Sequence, residues 1–74
     1  MAYLPPSADE IRALIKAFWQ QHPDPSKQSN ADDQDFLDSK VAATQYLLQR
    51  FIRGGIDPQE AESRAMSTVA LADY

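Results

Sequence analysis

Gly54-Gly55-Ile56-Asp57-Pro58-Gln59-Glu60-Ala61 closes one helix and opens the next within a few residues. Gly54 has no Cβ, so it can take the left-handed conformation that ends a helix without a clash. Asp57 suits an N-cap, where its carboxylate accepts a backbone N–H. Pro58 suits the first helical position, whose N–H has no intrahelical partner. Glu60 completes a capping box, and Ile56 and Ala61 stand at the two ends of a hydrophobic staple. The stretch predicts a tight Gly-Gly corner between two helices.

The residues before the corner predict a long helix over 33–53. Leu37, Val41, Thr44, Leu48 and Phe51 form one stripe on it, and Phe36, Ala43 and Leu47 form a second beside the first. This apolar arc is wider than a surface helix needs, so the helix is central to a bundle or meets a second partner. After the corner, Ala61, Ala65, Met66, Val69 and Ala72 predict a thinner helix over 58–72. At the other end, Ser7-Ala8-Asp9-Glu10 reads as a capping box. It opens a helix over 8–21 with Ile11, Leu14, Ile15 and Phe18 on one face. Pro5-Pro6 predicts an extended segment over 1–6. Pro23, Pro25 and small polar residues predict a flexible loop over 22–31.

The expected fold is therefore all-α, a single helical domain over 1–74 built as a small three-helix bundle. Its expected core is Ile11, Leu14, Ile15, Phe18, Leu37, Val41, Leu48, Phe51, Ala65, Met66 and Val69. The chain has 74 residues, enough for one domain with thin stability. It has no cysteine, which excludes disulfides and thiolate zinc sites. No run approaches the roughly 18 apolar residues of a membrane span, and the N-terminus lacks the pattern of a secretory signal. A cytoplasmic protein is expected, with no membrane partner.

Charge narrows the partners. Seven basic residues face eleven acidic ones, for a net charge of −4. Nucleic-acid binding draws affinity from cations over phosphates, so this balance opposes it. The corner has the outline of a DNA-binding helix-turn-helix. Its second helix, however, sets Asp57, Glu60, Glu62 and Asp73 against Arg64 alone. Gly54-Gly55-Ile56, with Ala61 and Ala65 after it, also resembles a corner of ubiquitin-associated domains. The methionine and aromatic residue of that family's loop are missing and the preceding helix is too long, so no family is assigned.

Catalytic motifs, phosphate loops and zinc spacings are absent, so neither an enzyme nor a cofactor is expected. Asp32, Asp33, Asp35 and Asp38 could ligate a divalent cation, but they lack the alternation, glycine and distal glutamate of a calcium loop. Acids at the positive end of a helix dipole explain them, as basic residues explain the other end. His22, the lone histidine, is expected at the solvent-facing end of the first helix. What remains is surface recognition. Trp19 sits about 100° from Phe18 around its helix and is a candidate interface anchor. Tyr46 and Arg50 share a face, and Arg53 continues it one turn on. A non-catalytic protein-interaction module is thus expected, acting through apolar surface on the first two helices. Its partner-binding residues would be Trp19, Tyr46, Leu47, Arg50 and Arg53, with a homodimer as one form of the contact. The alternative is a nucleic-acid-associated regulator using Lys40, Arg50, Arg53 and Arg64.

Overall fold

A computed structural model of the chain describes residues 3–72. These are 77% helical and contain no strand, so the fold is all-α. Four α-helices are present where three were expected: α1 (Ala8–Gln20), α2 (Pro25–Gln28), α3 (Gln34–Arg53) and α4 (Pro58–Ala65). A 3₁₀ turn at Ser29–Asp32 joins α2 to α3, and a π-helical turn at Met66–Ala70 continues α4.

The helix starts follow from their caps. Ser7 Oγ accepts the Glu10 N–H at 3.1 Å, Asp33 accepts that of Phe36 at 3.2 Å, and Asp57 accepts those of Gln59 and Glu60. Each bond satisfies a donor that the helix itself cannot. Between α3 and α4 the left-handed residue is Gly55, at φ 93°, not Gly54, whose φ is −78°. The Gly55 N–H donates to the Ile52 carbonyl and the Ile56 N–H to the Phe51 carbonyl, both at 3.1 Å. This is the paired bonding of a Schellman motif, which needs one more residue in helical conformation before the reversal. Ile56 then joins Ala61 and Leu48 in one apolar cluster.

The segment 22–31 is not irregular throughout: residues 22–24 are, but Pro25–Gln28 is helical and Ser29–Asp32 is a 3₁₀ turn. Asp24 caps α2 by accepting the Ser26 N–H at 3.0 Å and the Ser26 hydroxyl at 2.8 Å. Gln28 Nε2 donates to the His22 carbonyl at 2.6 Å, and the Asp24 N–H donates to His22 Nδ1 at 2.9 Å. Side-chain bonds of this local kind make a turn where proline and small polar residues discourage a long helix. The turn carries Ala31 into the core, where it is 1% exposed.

Two clusters make the core. Ile11, Ile15, Trp19, Ala31, Leu37, Val41 and Ala70 form the first, around the N-terminal half of α3. Leu48, Ala61 and Ala65 form the second, around its C-terminal half. The buried stripe of α1 is Ile11, Ile15, Trp19 and then His22, so the helix is rotated from its expected face. Leu14 is 51% exposed, and Phe18 is half-buried. In the π-helical turn after α4 the expected Met66 and Val69 are half-buried, and Ala70 replaces them as a fully buried residue. The Leu71 N–H donates to the Met66 carbonyl at 2.7 Å, so the last turn holds one residue more than an α-turn. Ala61, Ala65 and Ala70 thereby stay on one side across both clusters.

Polar groups tie the elements together. Lys40 Nζ donates to the Val69 carbonyl at 3.0 Å and lies 5.6 Å from the Phe36 ring centre. A cation suits a helix C-terminus, where carbonyls lack partners. Arg12 donates to Gln34 and Asp38, joining α1 to α3. The buried Thr44 hydroxyl donates to the Lys40 carbonyl at 2.7 Å, so its place in an apolar stripe leaves no unpaired group. Tyr3 donates to Glu62 at 3.4 Å, and burial, then the Glu62 carboxylate, push its phenol pKa up.

Among the described residues nothing beyond its chain neighbours lies within 4 Å of a Cβ placed at Gly55, so the cost of Gly55→Ala is confined to the backbone. It should destabilise by about 1–2 kcal/mol. Gly54→Ala, whose new Cβ would meet ordinary contacts at 3.5 Å, should be neutral or mildly stabilising. Urea denaturation followed by circular dichroism separates the two. Asp24 supplies a pH prediction. Its bonds from Ser26 hold its carboxyl below the usual range. The folded form therefore binds this proton less readily than the unfolded chain. Its contribution is complete above the ordinary carboxylate range and is lost as pH falls from that range through the lowered folded value. The protection of the Ser26 amide against exchange, measured relative to its intrinsic rate at each pH, should fall on acidification, and Asp24→Ala should abolish it at neutral pH as well.

Candidate functional site

The solvent side of α3 carries the site. Tyr46 is 63% exposed, and Arg50 Nη1 donates to its hydroxyl at 3.3 Å. These two side chains, with Arg53, Gln45 and Gln49, line a shallow hollow. The helix repeat explains the gathering, because residues three, four and seven apart share a face. Gln45 and Gln49 had no sequence signal beyond their spacing from Tyr46. Leu47 is half-buried beside Leu48, at the edge of the second cluster.

Trp19 does not join them. It is 2% exposed and sits in the first cluster. Its ring stacks on His22 at 5.4 Å between centres and meets Phe18 and Phe36 edge-on at 5.4 and 5.2 Å. No face of it is left for a partner, so Trp19 is a core residue and not the expected interface anchor. Its Nε1–H is buried with no hydrogen-bond partner among the described residues. That omission costs about 1–3 kcal/mol. Burying an indole of about 150–250 Å² returns about 4–6 kcal/mol at most, so the ring stays inside. His22 was expected in solvent and is instead 8% exposed, held by Trp19 and the Asp24 N–H.

The acidic residues at the start of α3 do separate tasks. Asp33 caps the helix and Asp38 pairs with Arg12. Among the described residues no group of three or more histidine and acidic side chains is placed to hold a metal ion. Arg64 is paired with Glu60 at 2.8 Å on the exposed side of α4. Asp73, which adds to the negative charge of that segment, lies outside the described residues. Among the described residues no helix is long and apolar enough to cross a membrane. Compared with family models, curated proteins and solved structures, the chain matches none.

Core and surface roles separate by stability. Trp19→Ala should cost about 3–5 kcal/mol, enough to unfold much of so small a chain. Tyr46→Ala should cost no more than about 0.5 kcal/mol. Thermal melts of the two variants report the difference directly.

Proposed function

We propose that the protein is a non-catalytic, cytoplasmic protein-interaction module whose working surface is the outer face of α3. Tyr46 is its anchor, Arg50 and Arg53 are its charged rim, and Leu47 borders it. One observation supports the reading above others. Residues 39–53 contain Lys40, Arg50 and Arg53 and no carboxylate, within a chain of net charge −4. Lys40 is engaged with Val69 and Phe36, which leaves the two arginines beside the exposed tyrosine. Tyrosine and arginine bring contact area and directed donors to protein interfaces, and they dominate binding hot spots. The preferred partner surface is acidic with an apolar centre.

The same arginines are the basis of the alternative, a nucleic-acid-associated regulator. Two exposed guanidiniums make few phosphate contacts, and the net charge opposes more.

Selection of a displayed random-peptide library on the full chain tests the proposal. Acidic sequences should be enriched on the native protein and lost on a Tyr46→Ala, Arg50→Ala, Arg53→Ala variant. Equal enrichment on both proteins would overturn it. Gel shifts at low salt provide the second arm, where retardation of the native protein alone would replace the peptide partner with nucleic acid.

A further inference from the structure

We infer that the outer face of α3 pairs with the same face of a second copy, antiparallel and in a defined register; this rests on the reading of that face as an interaction surface. Asp35, Ser39, Ala42, Tyr46, Gln49 and Arg53 recur every four and three residues in turn. That alternation keeps side chains on one seam of a helix pair. At about 100° per residue they fall within an arc of about 80°, on the side away from Leu37, Val41, Thr44 and Leu48. All six are exposed.

The seam is self-complementary. Its positions are symmetric about residue 44: Asp35 and Arg53 lie nine residues either side, Ser39 and Gln49 five, and Ala42 and Tyr46 two. A twofold axis there sets each Asp35 opposite Arg53 of the partner subunit. It sets the Ser39 hydroxyl near the amide of Gln49, and the Tyr46 ring over the small side chain of Ala42. The symmetry repeats every pair, as an isologous contact requires. A parallel pairing would instead place Asp35 against Asp35 and Arg53 against Arg53. Charge thus selects both the occupant and its direction. The middle of the seam is small and only partly apolar, so the contact is of the limited area typical of weak, transient pairs, below about 1,200 Å².

Sedimentation of the purified full chain up to about 1 mM, the weak end of measurable affinity, tests the pairing. Reversible dimers are expected. Asp35→Arg and Arg53→Asp should each weaken self-association by about tenfold or more, because each turns two attractions into two repulsions. An equimolar mixture of the two variants should recover association, since each arginine of the first variant's seam then faces an aspartate of the second's. The double variant should recover it as well. A monomer at every concentration, or a dimer indifferent to both reversals, would overturn the pairing. Neither result touches the peptide selection, so failure of self-pairing and failure of the interaction surface are told apart.

Discussion

The length of α3 constrains everything around it. It has 20 residues, whereas α1 has 13 and α4 has 8. At about 1.5 Å per residue, α3 is about 30 Å long and α4 about 12 Å. No single neighbour covers it. The chain answers by packing α1 and the 3₁₀ turn on its first half and α4 on its second, with extents of 39 × 20 × 19 Å. Two apolar clusters follow from that division. The second is the thinner: Leu48, Ala61 and Ala65 are fully buried, and Leu47, Phe51, Ile52 and Ile56 are partly so.

The two clusters are joined by a change of helical period. Ala61 and Ala65 are four apart and serve the second cluster, and Ala70 comes five later and serves the first. A regular α-turn from Ala65 would bring Val69 to that side. The π-turn inserts one residue and delivers a methyl group where a branched side chain would be bulkier. Close packing tolerates little excess volume, and overpacking costs about 1–3 kcal/mol. Lys40 then closes the turn by binding the Val69 carbonyl, so the change of period and the cap belong to one arrangement.

Capping chemistry was legible in the sequence because it is local. Ser7, Asp33 and Asp57 each satisfy donors within three residues, and their identities announce it. The stripe Leu37, Val41, Thr44 and Leu48 was legible too, since twenty residues hold several repeats of the helical period. What failed was anything decided by distant packing. Ile11, Leu14, Ile15 and Phe18 form a valid stripe, but so do Ile11, Ile15, Trp19 and His22, and the larger indole area settles the choice. Pro23 and Pro25 signalled a loop because proline breaks long helices. The same Pro25 begins a short one, once Asp24 caps it and Ala31 fills a gap in the core. Tyr46, Arg50 and Arg53 were brought together as expected because they lie on one helix. Trp19 lies on another and turned inward.

The charge order of α3 serves the helix first. Aspartates at its start and arginines at its end oppose the macrodipole and stabilise the isolated rod. That order also makes one face of the rod the electrostatic complement of itself reversed, because the two ends carry opposite signs. Dipole matching alone would hold for many helices and would select no register. Register comes from Ser39 and Ala42, small residues placed where Tyr46 and Gln49 of an antiparallel neighbour need room. Ala42 is also the best helix former, whereas a longer straight-chain residue would have served helix propensity better than Ser39. The choice of serine at position 39 is what the demands of the single helix leave unexplained, and a second rod alongside accounts for it.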